Sequence, residues 1–585
     1  MDIFNVLELL CGLALFLYGM DVMGDALKKS AGNRLKVILG KMTSSPLRGF
    51  LLGLGVTAII QSSSATTVMV VGFVNSGTMT LLQSVGVIMG ANVGTAVTAW
   101  LTGLSGVEAA EGAMEFVKWL KPSSWMPILA LIGICLIMFA KRGKKKDIGV
   151  ILLGFAVLMV GMDMMSGAVG GLKDNDAFKN ILIMFENPIL GVIAGLVLTA
   201  IVQSSSASVG ILQSLTTTGA ITYGAAIPIV MGLNIGTCVT ALISSAGASR
   251  DGKRAAMIHL YFNIIGVVVV LSVFYLLNAI FSFPLVTQTI GMWGVAAVHT
   301  IFKLISVALI APFYKWLEKL ARLTVKDSKK GNETVNMLDE RLLETPAIAV
   351  NRAEAVTFKM ADISWRAVRR AIALLDAFDA KAADEIRDLE DQADKLEDAL
   401  GSYLVKVSSC DMDEGDAKQI TKLLHLIGDL ERISDHAVNF VESAEELKDK
   451  EIIFSPEAQR EIGVLRSAVE DILENAYKAL VNGDMEAASN VEPIEEVVDE
   501  IRDRIKLNHV LRLQKSECTI EHGFILSDIL NNLERVADHC SNIASCLVEV
   551  SEYDAMDMHK YQHELKEGSA TFDKKFEEYK AKYSI

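Results

Sequence analysis

Apolar stretches dominate the chain up to about residue 315, and a charged sequence with helical periodicity follows from about residue 320. Seven of these stretches approach the ~20 residues that a membrane-spanning helix needs. They comprise residues 4–23, 80–101, 125–140, 148–165, 221–244, 255–280 and 291–314. Two more, 46–74 and 188–215, are interrupted near their centres by polar runs. The pattern predicts a polytopic, all-α membrane domain over residues 1–320.

The membrane half repeats itself at an offset of 142 residues. The shift places the Gln-Ser-Ser-Ser run of residues 61–64 on the same run at 203–206. It also places the Gly-x-Asn-x-Gly-Thr segment of residues 90–95 on the same motif at 232–237. Identity centred on such unusual polar runs indicates an internal duplication, which is typical of many secondary transporters.

The basic residues indicate how the two copies, about 1–105 and 147–247, are oriented, because Lys and Arg collect on the cytoplasmic side of a membrane. A basic stretch follows the first apolar helix, whereas its counterpart holds only Lys173 and Lys179. The basic residues of the first stretch are Lys28, Lys29, Arg34, Lys36, Lys41 and Arg48. All basic loops, including the run at 141–146, fall on one side if the two interrupted stretches are re-entrant hairpins. We therefore predict two inverted repeats in a plasma membrane (the inner membrane of a bacterium), with the N-terminus outside and the C-terminal part cytoplasmic.

The polar runs at the predicted hairpin tips have the donors that a tetrahedral oxyanion needs. Each tip offers hydroxyls, a side-chain amide and the free N–H groups of a helix start. The candidate anion ligands are Gln61, Ser62, Ser63, Ser64, Gln203, Ser204, Ser205, Ser206, Asn92 and Asn234. Serines that only join helices are the alternative interpretation. Neither run contains Lys or Arg, so we expect a co-bound cation to neutralise the anion.

The Gly-x-Asn-x-Gly-Thr segments are candidates for that cation. Glycine allows a helix to unwind and free its carbonyl groups, and threonine hydroxyls add oxygen ligands at Thr95, Thr98, Thr237 and Thr240. Oxygen-only, mostly neutral coordination suits sodium, whereas transition metals would require His, Cys or clustered carboxylates. Helix packing through the glycines is the alternative.

Three further pairs of polar residues lie within or beside the apolar stretches. They are Asp21 with Asp163, His259 with Asn263, and His299 with Lys303. The two aspartates occupy matched positions and are interpreted as helix-end residues or as part of an ion path. The other pairs have i,i+4 spacing, which indicates a structural hydrogen bond on one helix face. A lysine at the depth of Lys303 is unusual.

The second half begins after a charged linker at 321–346 and contains its own duplication. Its apolar residues keep helical spacing over 347–550, and segments around 389–394 and 429–439 recur 103 to 105 residues later. This pattern predicts two antiparallel three-helix bundles. Residues 551–585 are charged and are predicted to form a C-terminal helix or tail. The net charge of -15 argues against non-specific nucleic-acid binding.

Acidic pairs with i,i+4 spacing recur in both bundles. They are Glu390 with Asp394, Glu431 with Asp435, Glu495 with Asp499, and Glu534 with Asp538. Because each pair shares one helix face, the four pairs together are candidates for a site that binds a divalent or trivalent metal. A solvated acidic surface is the alternative.

Paired Gln-Ser-Ser-Ser runs, each followed by Gly-x-Asn-x-Gly-Thr, resemble the type II sodium/phosphate cotransporters over about residues 1–315. The resemblance implies that phosphate lies between the two tips. It implies one sodium near Gln203, Ser204, Thr237 and Thr240, and a symmetric one near Gln61, Ser62, Thr95 and Thr98. The partners are then inorganic phosphate, lipid and Na+ as coupling ion. An exporter and a membrane-anchored phosphate-signalling regulator are the alternatives, whereas no enzyme motif is visible.

The run Glu-Arg-x-x-Asp-His-x-x-Asn, present twice, resembles the PhoU family over about residues 347–550. Members of that family bind metal clusters through Glu-x-x-x-Asp motifs, so the resemblance implies a divalent or iron-type metal. It also implies a cytoplasmic regulatory module that responds to phosphate. The direction of transport, the sodium stoichiometry, a homodimer and a cytoplasmic signalling partner stay open at this point.

Overall fold

A computed structural model of the chain describes residues 3–40, 45–106, 122–140, 144–172, 175–326, 337–552 and 570–585. The chain divides into two compact units, Met1–Ile348 and Ala349–Ile585. Helices account for nearly all of the described residues, and no strand occurs among them. The predicted all-α class is therefore confirmed.

Helices of both long and short kinds make up the first unit. They are α1 (Ile3–Gly40), α2 (Pro46–Ile60), α3 (Ser63–Asn75), α4 (Leu81–Gly103), α5 (Pro122–Phe139), α6 (Lys144–Val169), α7 (Asp176–Met184), α8 (Pro188–Val202), α9 (Ser205–Thr216), α10 (Tyr223–Gly236), α11 (Cys238–Ser244), α12 (Arg250–Phe281), α13 (Met292–Ile310) and α14 (Tyr314–Thr324). Six helical segments are long and apolar enough to cross a membrane, and each matches a predicted span. The seventh predicted span corresponds to the shorter α5.

The two interrupted stretches each fold into two helices joined by a sharp turn. Pro46 and Pro188 start α2 and α8, with the side chains of Ser45 and Asn187 capping the first turns. Proline suits this position because its missing N–H would have no helical partner there. The polar runs then end these helices and start α3 and α9. The basic loops of residues 41 and 141–143, and Lys173, lie outside the described residues.

Glycines at repeat-equivalent positions hold α1 against α6. A Cβ added at Gly12 would lie 2.9 Å from the carbonyl oxygen of Gly161, and one at Gly154 would lie 3.1 Å from that of Gly19. Residue numbers rise along α1 as they fall along α6, so the two helices are antiparallel. Shifting by 142 residues exchanges one contact for the other, so the packing of these two helices is itself two-fold symmetric.

Long helices form the second unit. They are α15 (Pro346–Leu374), α16 (Ala380–Ser408), α17 (Glu414–Asp449), α18 (Pro456–Asn482), α19 (Met485–Gln514), α20 (Ile520–Glu552) and the terminal α21 (Ala570–Lys582). The consecutive pairs α16–α17, α18–α19 and α19–α20 pack against each other, and α17 packs against α20 to join the halves. Trp365 of α15 donates a 2.7 Å hydrogen bond from Nε1 to the carbonyl oxygen of Leu473 in α18. The terminal helix rests on α19.

Candidate functional site

The two polar turns have the same backbone geometry. Gln61 has φ 59° and ψ 20°, and Gln203 has φ 56° and ψ 16°, so both glutamines adopt the left-handed conformation. Such a conformation costs roughly 1–2 kcal/mol for a residue other than glycine. Both glutamines hold this conformation at matched positions, each as the residue that ends a helix.

The serine after each glutamine caps the helix that follows. Ser62 Oγ accepts from the Ala65 N–H at 3.1 Å, and Ser204 Oγ accepts from the Ala207 N–H at 3.2 Å. The first N–H groups of a helix have no intrahelical acceptor. In each turn, two such N–H groups remain available as donors. They belong to Ser63 and Ser64 in the first copy, and to Ser205 and Ser206 in the second.

Both turns line one cavity of about 450 Å³. All eight residues of the two Gln-Ser-Ser-Ser runs contribute to its wall. The first turns of α3 and α9 therefore begin at the same space, and their dipoles place positive potential at its edge. Equivalent residues of the two copies, 142 positions apart in the chain, thus line the same cavity. The cavity is large enough for a small oxyanion.

Apart from Ile60 of α2, the rest of the cavity wall comes from α1, and the sequence had not predicted this contribution. Leu17, Asp21, Gly24 and Lys28 contribute to it, at intervals of four, three and four residues. This spacing marks one helix face, so the sequence could have grouped these residues. It could not have shown which space the face borders. Asp163, the counterpart of Asp21, is not among the lining residues.

A basic side chain from outside both runs, Lys28, also lies in the cavity wall. The Lys28 Nζ, however, is paired with Asp25 Oδ1 at 2.8 Å. The carboxylate of Asp21 also faces the cavity. These side chains therefore supply no net positive charge, and the need for a neutralising cation persists.

The Gly-x-Asn-x-Gly-Thr segments are packed rather than unwound in the first copy. The helix α4 runs without a break from Leu81 to Gly103, so the predicted unwinding there is wrong. A Cβ at Gly90 would lie 1.9 Å from the carbonyl oxygen of Phe50 in α2. The glycines are required because the two backbones touch, which is the alternative that the sequence left open.

Asn92 and Asn234 contribute to this packing and do not line the cavity. Asn92 Nδ2 donates to the Ile88 carbonyl oxygen at 2.9 Å, and Asn234 Nδ2 donates to that of Val230 at 2.8 Å. Both side chains are buried. Each amide is therefore bonded to its own helix one turn earlier.

The two predicted sodium-ligand sets differ in this structure. In the first set, Thr98 Oγ1 donates to Gln61 Oε1 at 2.8 Å, and both side chains are buried. In the second set, the helix breaks at Thr237 between α10 and α11, and the Gln203 side chain is exposed. Thr240 Oγ1 bonds to the Thr237 carbonyl oxygen at 2.9 Å. The first set is thus closed by a hydrogen bond between two of its own side chains. The threonine hydroxyls of the second set bond only to main-chain oxygens and its Gln203 is exposed, so we call this set open.

The acidic pairs of the second unit form two unlike clusters. Within the described residues, no three His, Cys, Asp or Glu side chains are placed to hold a metal ion together. In the second bundle, Arg502 pairs with Asp499 at 2.9 Å and with Glu534 at 3.0 Å. The guanidinium thus occupies the centre that a metal would take. The expected site built from all four pairs is not seen.

The first bundle has an acid where the second has that arginine. Glu397 precedes Arg502 by the repeat offset of 105 residues. Burial and the carboxylate of Asp435 raise the pKa of Glu431 to about 7, and Glu397 adds to this effect. Burial also raises the pKa of Glu390, next to Asp435 and Asp394. The carboxylates of this cluster therefore repel one another, and Arg432 opposes the effect only in part.

A short segment at Glu340–Glu344 attaches the end of the linker to the first unit. Asn75 Nδ2 at the end of α3 donates to Asp339 Oδ2 at 2.5 Å, and the Asp339 side chain is buried. Arg341 Nε donates to the Ser244 carbonyl oxygen at 2.7 Å. Burial raises the pKa of Glu344, while the nearby ammonium of Lys28 opposes this rise. The segment therefore contacts the far end of a cavity-forming helix.

Two protein-family models match the chain, one in each of its halves. A model of the Na+/Pi-cotransporter family matches residues 15–167 and 172–295, and the PhoU domain model matches 357–444 and 464–547. The chain is 22% identical over 564 residues to the "Putative inorganic phosphate export protein YjbB" of Escherichia coli (strain K12), covering 94% of this chain and 98% of that protein.

Two further relatives match part of the chain. It is 32% identical over 257 residues to the "Uncharacterized protein YqeW" of Bacillus subtilis (strain 168), covering 44% of this chain and 78% of that protein. It is also 40% identical over 134 residues to the "Sodium-dependent phosphate transport protein 2B" of Homo sapiens, covering 21% of this chain and 19% of that protein.

Proposed function

The chain belongs to the Na+/Pi-cotransporter family and carries a PhoU domain, and from this premise we propose that it transports inorganic phosphate across a membrane together with sodium ions. One observation carries the proposal: a single cavity is lined by both Gln-Ser-Ser-Ser turns. The substrate lies between the two turns. Transport rather than catalysis is the activity, in keeping with a family of transporters.

Phosphate is bound by main-chain and hydroxyl donors rather than by a guanidinium or ammonium group. The N–H groups that begin α3 and α9 converge on the cavity from two different helices. Helix starts stabilise anions through these N–H groups and through the helix dipole. Serine hydroxyls are adjustable donors and complete the shell around a tetrahedral anion.

Sodium binds beside the second turn, at the set Gln203, Ser204, Thr237 and Thr240. The helix breaks at Thr237 between α10 and α11, and Thr199 Oγ1 is buried without a hydrogen-bond partner among the described residues. Carbonyl and hydroxyl oxygens beside a break in a membrane helix are suitable sodium ligands. The matching set around Gln61 binds the ion in another state of the transport cycle, after the Thr98 bond opens.

The two copies are inverted repeats that alternate in exposing the cavity. Antiparallel packing of α1 and α6 through repeat-equivalent glycines supports a two-fold axis in the membrane plane. The C-terminal unit is cytoplasmic in this arrangement. The similarity to a protein named for phosphate export keeps export open as the direction.

The PhoU domain regulates transport through the segment that ends the linker. Asp339 binds Asn75 at the end of α3, and α3 starts at Ser63 in the cavity wall. A displacement of this segment would therefore be transmitted along α3 to the first Gln-Ser-Ser-Ser turn. The adjoining residues 327–336 of the linker lie outside the described residues.

Radiolabelled phosphate flux in proteoliposomes tests the proposal. The purified full chain should move phosphate in either direction when a sodium gradient is imposed, and should not do so with a potassium gradient. The double variant Ser63→Ala plus Ser205→Ala should reduce the flux, with Ser214→Ala as the control, a buried serine outside the cavity wall. Absence of sodium-driven phosphate flux in the wild type would reject the function. Equal flux in the double variant and the control would reject the site.

A further inference from the structure

A cluster of four buried polar side chains lies on α12 and α13, and three of them have no hydrogen-bond partner among the described residues. Both ring nitrogens of His259 and of His299 are unbonded, as is the hydroxyl of Ser306. Lys303 is the fourth, with 3% of its surface exposed. It is close enough to interact electrostatically with both imidazole rings. Buried polar groups are normally satisfied, so this cluster requires an explanation.

Lys303 is the most unusual member of the cluster. No carboxylate forms an ion pair with it in the part of the chain that the structure describes. A buried charge in a membrane protein is expensive and marks function more often than structure. The helix α13 places it well inside the span, seven residues before Ile310. An apolar side chain at position 303 would therefore be expected to give a more stable protein than the cationic group of Lys303.

The cluster lies directly behind the open sodium-ligand set. Cys238 follows Thr237 at the helix break, and its Sγ contacts the His259 carbonyl oxygen at 3.6 Å. Asn263 Nδ2 donates to the same sulfur at 3.3 Å. A single layer of side chains thus links the residues of the α10–α11 break with the cluster that contains Lys303.

We propose that the ammonium of Lys303 is a tethered coupling charge that takes the place of one co-transported sodium ion. This inference depends on the proposed sodium-coupled transport. The cavity wall has no net positive charge, because Lys28 is paired with Asp25 and Asp21 is also present. The charge of bound phosphate must then be offset from farther away, and in a low-dielectric interior such attraction acts over several ångströms.

Charge balance predicts the effect of removing the ammonium. A neutral side chain at position 303 leaves the anion short of one positive charge, and an extra sodium ion must supply it. Ser306 lies one turn after Lys303 on α13, and its unbonded hydroxyl is directed at Gly266 of α12. An asparagine at position 303 would add a second neutral oxygen ligand on the same helix face. Lys303→Asn should therefore require one more sodium ion per phosphate than the wild type.

The test measures co-transport of labelled sodium and labelled phosphate by the full chain in proteoliposomes. The wild type is compared with Lys303→Asn and with Lys303→Arg, which keeps the charge because arginine is always protonated in proteins. We expect the sodium-to-phosphate flux ratio to rise by one in Lys303→Asn, with a steeper dependence of rate on sodium. The ratio should be unchanged in Lys303→Arg.

Four other results with the Lys303 variants would overturn the inference. An unchanged flux ratio in Lys303→Asn, or a changed one in Lys303→Arg, shows that Lys303 does not act as a coupling charge. A folded but inactive Lys303→Asn at saturating sodium shows that sodium cannot replace it. If this variant unfolds in thermal melts even at saturating sodium and phosphate, Lys303 has a structural role. A wild type without phosphate flux instead rejects the proposed function itself.

Discussion

Glu431 should make the stability of the second unit depend on pH. Burial and the neighbouring carboxylate of Asp435 raise the pKa of Glu431 from 4.5 to about 7 in the folded chain. In the unfolded chain the group has its ordinary pKa and ionises first as the pH rises. Below pH 4.5 both states are protonated and the full stability is present. Stability is then lost as the pH rises towards about 7, and stays lower above that.

The size of this loss depends on the shift in the pKa. Without screening, the shift would correspond to roughly 3 kcal/mol, at about 1.4 kcal/mol per pH unit. Because the side chain of Glu431 is partly exposed, solvent screening reduces the value, and we expect about 1 kcal/mol. Glu431→Gln keeps the shape of the side chain but cannot ionise. The variant should be more stable than the wild type by about that amount above pH 7.

Urea unfolding of the full chain in detergent, followed by pulsed thiol labelling of Cys540 and mass spectrometry, would measure this difference. Cys540 is completely buried in α20, so its labelling reports unfolding of the second unit. The matched control is Glu534→Gln, the repeat-equivalent position, where the guanidinium of Arg502 opposes the rise in the pKa of Glu534. Parallel pH profiles for the wild type and Glu431→Gln would refute the reasoning. An equal gain in the control would refute the role of Arg502.

Two further predictions concern the first unit. Gly90→Ala should lower its stability in detergent melts by about 1–3 kcal/mol, because the new Cβ would meet a backbone oxygen of α2, whereas Gly55→Ala has open space and should be neutral. Asp339→Ala should increase hydrogen exchange at 338–345, because it deprives Asn75 of its acceptor, while the exposed Glu340→Ala should not. Equal melting of the glycine variants, or unchanged exchange in Asp339→Ala, would contradict these predictions.

Periodicity and motif spacing were enough to predict the spans and the break at the centre of each interrupted stretch. Proline starts, polar interruptions and matched offsets are local features, and the structure follows them closely. The role of glycine at position 90 was not predictable, because a helix that unwinds and a helix that packs closely need the same residue. Only the position of Phe50 in the neighbouring helix decides between them.

Ion pairs were predictable from the sequence only where the two charged residues are close together in the chain. The pairing of Lys28 with Asp25 is an i,i+3 contact that the sequence contains. The position of Arg502 between Asp499 and Glu534 depends on how α19 and α20 pack. The substitution of glutamate for arginine between the repeats, at Glu397, was nevertheless visible at the offset of 105 residues, and would have warned against one shared metal site.

Identical motifs in the two copies have different structures here, and this difference has a physical meaning. Gln61 is buried and bonded to Thr98, whereas Gln203 is exposed beside a broken helix. Because the motif residues themselves are the same, the difference is not set by the motifs but by their neighbours. Packing against those neighbours therefore decides which arrangement each turn has in this structure. Under the proposed transport function, exchange of these two arrangements around one fixed cavity would provide what alternating access requires of repeated halves.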